Sequence, residues 1–419
     1  MAEQPRVQEE YGDVQGPAPW SALFFLGFAS GLPLLLTSTT LQAWLTKAGV
    51  DLGTVGFFAL VGLPYTLKFL WSPLLDRFAP PLLPRRRGWI LAAQVALVLL
   101  LVVLAYADPR AGLPWIAVLA FAVAFASATQ DIAIDAWRAE ILPPRWQGLG
   151  ASLHVGAYRL AMVLAGAFAL ILADRAGFRI TYLAMAALLL PGLLANLRAP
   201  QPHLPPAPRT LAAAVVEPLR ALLRRRGAAE ALLFVVLYKL GDSLGLALVV
   251  PFLLKTGVSM TEVGLATKGV GVAAIILGGL LGGLLMAWWP LRRALLVFGL
   301  VQLSTSLVLL VLALKGRSLT WMLAAITFEN LGYGLGTAAY TAFMMRLCDK
   351  GLAATQYALV SSLMALARVV FASPAGVAAE ALGWPAFFGL CAGLALPGLL
   401  LLLRFERWEL PATVSPGGG

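Results

Sequence analysis

Residues 125–140 read FASATQDIAIDAWRAE and place four charged side chains at the end of a long apolar run. Asp131 and Asp135 are four residues apart, so on a helix their carboxylates share one face, with Arg138 one turn further along. The apolar run begins near Leu113 and is long enough to cross a bilayer, where ionised groups are costly. Such groups usually pair, face an internal cavity or exchange protons. We therefore expect the function of the chain to depend on this segment.

The composition is typical of a protein with many membrane-spanning segments. Of the 419 residues, 60% are hydrophobic and 12% are charged, and the mean hydropathy is +0.85. A soluble domain is about half apolar and about a quarter charged. The net charge of +11 would suggest nucleic-acid binding in a soluble protein, but the arginines concentrate in alternate loops, as in membrane proteins. Two cysteines without a paired spacing and two histidines favour neither a disulfide framework nor a metal site, and we expect no cofactor.

Breaks at charged and Pro/Gly-rich joints divide the chain into twelve candidate spans. They cover residues 20–46, 53–75, 88–107, 113–138, 147–173, 178–198, 229–255, 262–289, 292–314, 319–345, 352–380 and 384–404. The twelve tryptophans fall at or near the ends of these spans, as expected for the aromatic belts of a membrane protein. The bias of lysine and arginine between alternate loops places both termini and the central loop in the cytoplasm.

The two halves of the sequence are related by a repeat. LTKAGVDLGTVG at residues 45–56 aligns with LKTGVSMTEVG at residues 254–264 in the same orientation, which indicates a parallel duplication. The sequence therefore predicts an all-α membrane protein with twelve transmembrane helices in two pseudo-symmetric six-helix bundles, the major facilitator fold. The predicted parts are a cytoplasmic N-terminal tail at 1–19, an N-terminal bundle at 20–198, a cytoplasmic linker at 199–228, a C-terminal bundle at 229–404 and a cytoplasmic C-terminal tail at 405–419.

The linker is rich in proline and arginine, and its composition is compatible with a short interfacial helix. His203 lies in it and is expected to be solvated. Elsewhere, Gly27/Gly31 and Gly278/Gly282 have the small-xxx-small spacing that allows two membrane helices to approach closely. The alternative for these glycines is the ordinary composition of membrane helices.

A charged residue inside a membrane span usually has a role in transport or binding. The alternatives are that its side chain extends to the membrane surface or that it only pairs with another charge in the structure. Arg159, Lys239 and Glu329 lie about ten residues into their spans, near mid-membrane, so we expect them to line a shared cavity. We expect Asp131 or Asp135 to carry a transported proton, with Glu329 as the next candidate. The charged residues in question are Lys68, Asp131, Asp135, Arg159, Lys239, Asp242, Lys268, Glu329 and Arg368.

Neutral polar side chains accompany these charges. Hydroxyls, amides and aromatic faces together suit a polyhydroxylated ligand such as a sugar, although each alone is more often an interhelical hydrogen bond. The predicted substrate-binding residues are Gln42, Lys68, Gln130, Tyr158, Arg159, Lys239, Asp242, Asn330 and Tyr333. The alternative for Arg159 and Lys239 is that they only neutralise Asp242 and Glu329.

Residues 70–89, LWSPLLDRFAPPLLPRRRGW, resemble the cytoplasmic signature loop of major facilitators, an Asp-Arg pair followed by a basic cluster. Asp76 is expected to cap or pair at a cytoplasmic gate, and Arg77 or Arg86 to reach the carboxylates at the end of the fourth span. The alternative for residues 85–87 is that they only determine topology. The predicted gating residues are Asp76, Arg77, Arg86, Arg138 and Glu140.

Several motifs of the first half together resemble the AmpG family of muropeptide permeases within the major facilitators. They are GFASGLPLLLTSTTLQAWL at 27–45, VGFFALVGLPYTLKFLWSPLLDRF at 55–78, PRRRGW at 84–89, ASATQDIAIDAW at 126–137 and YRLAM at 158–162. The second half matches mainly in topology and in its LKTG turn. The resemblance implies proton-driven import of N-acetylglucosaminyl-anhydro-N-acetylmuramyl products, with or without peptide, across the inner (cytoplasmic) membrane for peptidoglycan recycling. Carried over by position, it suggests Gln130 and Asp131 for ligand or proton handling.

Two alternatives remain open at the level of sequence. One is a major facilitator for another anionic solute, such as acetyl-CoA or a siderophore. The other is an intramembrane enzyme, for example a lipid-linked glycosyl- or acyltransferase. The sequence shows no large extramembrane domain, metal cluster or nucleophile–base signature, so we predict no catalytic residues and no enzymatic activity. The expected partners are a small-molecule substrate, protons and membrane lipids, without nucleic acid.

Overall fold

The computed structural model describes residues 14–15, 19–51, 54, 58–109, 112–202, 204–316, 318–372 and 375–408. His203 lies outside these residues, as do most of the predicted tails at 1–19 and 405–419. The side chains of Lys268 and Arg368 also lie outside the description.

The described chain is built from helices of widely different length. In chain order the helices are α1 (Trp20–Leu36), α2 (Thr39–Lys47), α3 (Leu63–Leu67), α4 (Ser72–Arg77), α5 (Arg85–Ala105), α6 (Leu113–Ile141), α7 (Gln147–Val163), α8 (Ala169–Ala187), α9 (Leu190–Arg198), α10 (Leu211–Leu223), α11 (Ala228–Leu237), α12 (Leu240–Lys255), α13 (Met260–Gly264), α14 (Gly271–Leu285), α15 (Leu291–Lys315), α16 (Leu319–Arg346), α17 (Ala353–Ala372), α18 (Ala375–Leu382) and α19 (Trp384–Leu401). One short antiparallel pair, β1 (Val14–Gln15) with β2 (Gln201–Pro202), is the exception to the predicted all-α structure.

Eight helical segments among the described residues are long and apolar enough to cross a membrane, by length and composition. One of them, Gln147–Arg198, is 52 residues long, which at 1.5 Å per residue is more than twice the roughly 30 Å of a hydrocarbon core. Gly177 interrupts it with φ 85°, in the left-handed region that glycine adopts without steric cost. The break falls between the predicted spans 147–173 and 178–198. The count of twelve spans stays a prediction.

The predicted span at 53–75 is not one continuous helix. Its described part consists of single turns at Phe58–Gly62 and Lys68–Leu70 around α3, followed by α4. Pro64 and Pro73 each lie in the first turn of a short helix, where the missing proline N–H costs nothing because that donor has no intrahelical partner. The two prolines therefore restart the helix, which an average of hydropathy over the segment does not reveal.

The chain forms two compact units. Unit 1 comprises Met1–Pro143, Leu153–Pro218 and Asp349–Ala358, and unit 2 comprises Pro144–Ser152, Leu219–Cys348 and Leu359–Gly419. The predicted bundles at 20–198 and 229–404 differ from these units mainly by two short segments, residues 144–152 and 349–358. The predicted domain boundaries remain a prediction.

Unit 1 is held together by apolar side chains of α1, α5, α6 and α8. Glycine brings α1 very close to α7, because a Cβ on Gly27 would lie 2.5 Å from the backbone oxygen of His154. A Cβ on Gly31, one turn later, would overlap the backbone oxygen of Tyr158. The close approach predicted for this glycine pair is thus confirmed.

Unit 2 has its own apolar core, formed by α12, α15, α16 and α19. Helices α14 and α16 pack closely in it, because a Cβ on Gly278 would overlap the backbone oxygen of Leu331. A Cβ on Gly282 would lie 3.1 Å from the backbone oxygen of Leu335. The predicted small-xxx-small face on α14 is therefore confirmed as a packing surface.

Candidate functional site

In unit 1, Asp135 lies between two cations. Its Oδ1 accepts a hydrogen bond from Nη2 of Arg138 at 2.9 Å, and its Oδ2 lies 3.5 Å from Nζ of Lys68. Arg138 follows one turn later on α6, whereas Lys68 comes from the single turn after α3. Ionised groups at membrane depth usually pair in this way. The structure therefore brings Lys68 and Arg138, for which the sequence predicted different roles, to the same carboxylate.

Asp131, one turn before Asp135, has a different environment. Its Oδ1 is buried and has no hydrogen-bond partner among the described residues. The charged groups that act on it are Lys68, Asp135 and Arg138, and the hydroxyl of Ser30 on α1 faces it. Lys68 and Arg138 are already in contact with Asp135, so only one carboxylate of the pair is held by direct contact with cations. The other has an oxygen that could exchange a proton.

Uncharged polar groups with no partner gather near this pair. Both amide atoms of Gln130 and the hydroxyls of Tyr65 and Ser127 are buried without a hydrogen-bond partner in the described part of the chain. Tyr65 and Tyr158 are close enough to Asp131 for its carboxylate to act on them electrostatically. Buried polar groups in folded proteins are nearly always hydrogen-bonded. Unsatisfied groups of this kind are suited to hold a polar ligand.

The remaining predicted ligands of unit 1 are less tightly connected to the aspartates. Arg159 neighbours Tyr158 on α7 and is half-buried, and it acts on Tyr158 electrostatically. Gln42 on α2 is also half-buried, and its backbone oxygen accepts a hydrogen bond from Thr46 Oγ1 at 2.8 Å. Among the described residues, no contact is observed between Gln42 and Asp131 or Asp135.

A second ionic cluster in unit 1 is centred on Arg86, which is 1% exposed. Its Nε donates to Oε2 of Glu140 at 2.8 Å, and its Nη2 contacts Oε1 of Glu140 at 2.5 Å and Oδ1 of Asp76 at 2.7 Å. Its Nη1 donates to the backbone oxygen of Leu75 at 3.1 Å. One planar guanidinium therefore holds two buried carboxylates in a fixed geometry. The predicted contact between Arg86 and a carboxylate after the fourth span is confirmed.

Asp76 also binds the first turn of α17. Its Oδ2 accepts from the backbone N–H of Thr355 at 2.8 Å and from the Thr355 hydroxyl at 2.6 Å. Glu140 accepts from the N–H of Gly351 at 3.2 Å, just before the helix. The first N–H groups of a helix have no intrahelical acceptor, and the helix dipole favours negative charge there. The prediction that Asp76 caps or pairs is confirmed in both senses, while its role in gating stays a prediction.

The neighbouring arginines have distinct partners. Arg77 lies over the ring of Phe78, with 5.3 Å between its Cζ and the ring centroid, so Arg86 and not Arg77 makes the carboxylate contact. Arg85 donates to the backbone oxygens of Asp76 and Gly351 at 2.8 and 3.3 Å. Arg87 donates to the backbone oxygen of Asn196 at 3.0 Å, near the end of α9. The three arginines at 85–87 thus have structural contacts beyond any effect on topology.

Unit 2 contains a comparable polar group at the start of α12. Nζ of Lys239 lies 3.1 Å from Oδ2 of Asp242 and 4.1 Å from the centroid of the Tyr333 ring. Nε2 of Gln302 on α15 donates to the same Asp242 oxygen at 3.1 Å. A cation above an aromatic face is stabilised by the quadrupole of the ring. Three predicted ligands, Lys239, Asp242 and Tyr333, are therefore brought together.

Glu329 and Asn330 lie on α16 and are both buried. Oε2 of Glu329 has no hydrogen-bond partner among the described residues, and Asp242 acts on Glu329 electrostatically. Asn330 donates to the backbone oxygen of Ile326 at 2.8 Å. The alternative for Lys239, pairing with a nearby carboxylate, is observed for Asp242. A hydrogen-bonding role for Asn330 within its own helix is also observed.

Sequence reasoning missed several residues of these groups. Gln302 lies 60 positions from Asp242, and Thr355 lies 279 positions from Asp76. Tyr357, whose hydroxyl accepts from Arg138 at 3.0 Å, is 219 positions from its partner. For a neutral side chain in a span, the neighbouring sequence does not indicate a partner that is so far away in the chain. Tyr65 and Ser127 both lie within the quoted motifs, and Ser127 is also close in sequence to Gln130 and Asp131; this was the available signal.

Comparison of the sequence with known proteins identifies the family in which these charged groups occur inside apolar helices. The model of the Major Facilitator Superfamily matches residues 22–372. The anhydromuropeptide permease of Escherichia coli is 47% identical over 384 residues, which cover 91% of this chain and 78% of that protein. The chain belongs to the major facilitator superfamily and, within it, to the anhydromuropeptide permease family. It is a multi-pass membrane transporter, and the sequence-based resemblance is confirmed.

Solved structures agree on the fold of this transporter. The fucose:proton symporter of Escherichia coli aligns with a TM-score of 0.70 at 13% identity, covering 93% of this chain and 98% of that one. A bacterial homologue of the iron transporter ferroportin, in an outward-facing state, aligns with a TM-score of 0.68 at 15% identity, covering 93% and 100%. At such identities the similarity shows the fold alone. The predicted major facilitator fold is confirmed.

Proposed function

We propose that this protein imports cell-wall-derived anhydro-muropeptides, N-acetylglucosaminyl-anhydro-N-acetylmuramic acid with or without peptide, into the cytoplasm by proton-coupled alternating access. The observation that carries the proposal is the 47% identity to the Escherichia coli anhydromuropeptide permease over 91% of this chain. The buried polar groups of both units support it, because they match the chemistry of a ligand with sugar hydroxyls, acetamido groups and carboxylates.

Proton coupling is assigned to the carboxylate pair on α6. Asp135 is balanced by Lys68 and Arg138, whereas Asp131 has a buried oxygen that no described residue hydrogen-bonds. A proton on Asp131 removes a negative charge that is costly in a membrane interior, and its release restores interaction with Lys68. Such a change couples proton occupancy to the packing of the single turn that carries Lys68. Glu329 is the second candidate, because it is also buried and its Oε2 has no hydrogen-bond partner in the described part of the chain.

Substrate binding is assigned to two sets of residues. Arg159 and Lys239 supply positive charge for peptide carboxylates, arginine through paired hydrogen bonds and lysine as a point charge. Gln42, Gln130 and Asn330 supply amides for acetamido and hydroxyl groups, and Tyr158 or Tyr333 supplies an aromatic face for a sugar ring. The Gln130 amide is the best supported of these, since none of its polar atoms has a partner among the described residues.

Gating is assigned to the Arg86 cluster. Asp76 accepts hydrogen bonds from Thr355 in the first turn of α17, and Glu140 accepts one from Gly351 just before that helix. Arg86 binds both carboxylates, and breaking these contacts would release the turn. The protein is proposed to lie in the inner membrane with both termini in the cytoplasm, in accord with the arginine-rich loops. Its partners are then the muropeptide, protons and membrane lipids, with no chemical change to the substrate.

The decisive experiment is uptake by the purified protein in proteoliposomes. Radiolabelled anhydro-muropeptide should accumulate inside vesicles whose interior is alkaline and should equilibrate without accumulation when the proton gradient is dissipated. Chromatography of the recovered label should show the substrate unchanged, which distinguishes transport from an enzymatic reaction. Uptake of acetyl-CoA or a ferric siderophore in place of the muropeptide would overturn the substrate assignment.

A further inference from the structure

Helix α10, Leu211–Leu223, has an apolar stripe that the other described residues leave exposed. Its members are between 37% and 58% exposed, and four of them recur at every fourth residue, which puts them on one side of a helix. They are Leu211, Val215, Val216, Leu219 and Leu223. A water-soluble surface rarely exposes so continuous an apolar row.

A different side of α10 is held by the protein. Ala214 and Leu222 are almost fully buried, and Pro218 between them is buried too. The backbone oxygen of Pro218 accepts a hydrogen bond from Nε2 of Gln356 at 3.2 Å. Just after the helix, Nη1 of Arg225 donates to the backbone oxygen of Leu347 at 2.5 Å. The orientation of α10, and hence of its exposed stripe, is therefore fixed.

Positive charge lies beside the apolar stripe. Five arginines and one glutamate fall between residues 204 and 227, and Arg209, Arg220 and Arg224 are exposed. Arg220 and Arg224 follow Val216 at four-residue spacing, so they lie at the edge of the stripe. Arginine side chains so placed can direct their guanidinium groups to phosphate while their methylene stems cover apolar surface.

The covalent chain brings this helix to the bilayer. Only residues 224–227 separate α10 from α11, which begins the candidate membrane span Ala228–Lys255. Four residues reach at most about 14 Å, and Gly227, with φ 74°, forms the turn between the two helices. At 13 residues, α10 is about 20 Å long and too short to cross the membrane. Its C-terminal end must therefore lie within about 14 Å of the start of that span.

We propose that α10 lies in the plane of the membrane surface, with its apolar stripe in the acyl-chain boundary and Arg220 and Arg224 on the phosphates of anionic phospholipids. An amphipathic helix with an apolar face and basic flanks has this geometry, and negative lipid headgroups complement the charge of residues 204–227. The surface is distinct from the transport sites on α6, α12 and α16. Its occupant is lipid and not transported solute.

The depth of the stripe can be measured with spin labels. In full-length protein carrying Cys348→Ser, single labels are placed at Val215→Cys on the stripe and Glu217→Cys off it; Cys391 is fully buried and stays unlabelled. In vesicles of phosphatidylcholine and phosphatidylglycerol, the label at position 215 should collide more with oxygen than with a water-soluble nickel chelate. The label at position 217 should show the reverse. A water-exposed label at 215, or one shielded from both relaxants, would overturn the proposal.

The anionic preference is tested by native mass spectrometry of the purified protein titrated with phosphatidylglycerol or phosphatidylcholine. Arg220→Gln with Arg224→Gln should lower the preference for phosphatidylglycerol by about fivefold for each arginine removed, following the usual contribution of a basic residue at a membrane surface. The matched control, Arg175→Gln with Arg179→Gln, removes two exposed charges elsewhere and should leave the preference unchanged. An equal loss in both variants, or no loss in the α10 variant, contradicts the assignment.

Discussion

At the scale of single residues, the two aspartates of α6 show how the same side chain can be placed in two environments one turn apart. Asp135 contacts Lys68 at 3.5 Å and Arg138 at 2.9 Å, so its charge is balanced. Asp131 keeps one buried oxygen without a partner among the described residues. A pair in which one carboxylate is held and the other is unsatisfied can change its protonation at one site without losing its structure.

Replacing each aspartate separately tests this division. Asp131→Asn should abolish accumulation driven by the proton gradient while leaving substrate counterflow measurable, because an amide fits the site but cannot release a proton. Asp135→Asn should also lower the thermal stability, since Lys68 and Arg138 would lose their shared carboxylate. The measurement is proteoliposome uptake with and without a pH gradient. If both variants still accumulate substrate, coupling lies elsewhere and Glu329→Gln is the next variant.

The cations Arg159 and Lys239 are tested by ligand choice. Arg159→Gln and Lys239→Gln should weaken binding of a peptide-bearing muropeptide much more than binding of the peptide-free anhydro-disaccharide, because only the former carries the peptide carboxylates. Each lost charged hydrogen bond should cost roughly 1.5–3 kcal/mol, or about one to two orders of magnitude in Kd. Calorimetry on purified protein gives both constants. Equal losses for the two ligands, with reduced thermal stability, would mean that these side chains are structural.

At the scale of secondary-structure elements, small residues and buried ion pairs decide how the helices of each unit pack. Lipid chains are as apolar as leucine, so burial alone does not bring membrane helices together; close packing and polar contacts do. Gly278 lets α14 approach the backbone of α16. Arg86 joins α5 to Asp76 at the end of α4 and to Glu140 at the end of α6. The glycine contact belongs to unit 2 and the Arg86 contacts belong to unit 1, so they can be tested separately.

Alanine at Gly278 should lower the thermal stability of the protein, because its Cβ would overlap the backbone oxygen of Leu331 and force α14 and α16 apart. The matched control is Gly393→Ala on α19, where nothing lies within 4 Å of the added Cβ. Both substitutions gain helix propensity, by up to about 1 kcal/mol, so only the steric term differs. Unfolding in detergent followed by tryptophan fluorescence should rank Gly393→Ala at or above the native protein. A Gly278→Ala variant of native stability would refute the packing role.

Arg86→Gln should destabilise the protein strongly, by roughly 3–5 kcal/mol, because it leaves Asp76 and Glu140 buried without their shared cation. Arg77→Gln removes the same charge one position after Asp76 but only a contact with Phe78, and its effect should be within about 1 kcal/mol. Thermal unfolding of the two variants in the same detergent provides the comparison. Similar midpoints for both would show that the Arg86 cluster does not hold these elements.

At the scale of the whole molecule, the protein is a helical membrane transporter whose predicted loops differ in their content of lysine and arginine. The same asymmetry predicts which loops face the cytoplasm. This prediction puts the arginine cluster at 85–87 and the arginines after α10 on one side, and Lys315 on the other. Orientation in turn fixes the direction in which a proton gradient can drive uptake.

Reporter fusions test the orientation. A fusion after Trp408 should be active as a cytoplasmic reporter, and a fusion at Lys315 should be active only as a periplasmic one. The physical reason is the cost of moving clustered arginines across the membrane during insertion. Both measurements are made with a paired phosphatase and fluorescent-protein reporter in intact cells. Finding both positions on the same side would contradict the predicted spans.

The sequence by itself determined the membrane class, the major facilitator fold and the segment around Asp131 and Asp135. Hydropathy, tryptophan positions and the repeat at 45–56 are properties of the chain and need no partner residues. It also predicted that Arg77 or Arg86 contacts a carboxylate at the end of the fourth span, because buried charged groups in a membrane protein usually pair; the structure selects Arg86. The glycine pair at Gly27 and Gly31 likewise marked a real packing surface, since its spacing repeats with the helix.

Only the tertiary structure decided which carboxylate each cation binds. Lys68 and Arg138 both go to Asp135, and Gln302 reaches Asp242 from 60 positions away. In the structure, the described part of the span at 53–75 consists of short helical turns, and α10 has an apolar stripe that the other described residues leave exposed. Such outcomes depend on contacts between residues far apart in the chain, and hydropathy and spacing describe only neighbours along a helix. Which buried charges pair depends on their distances in the folded structure, and a local sequence pattern does not specify those distances.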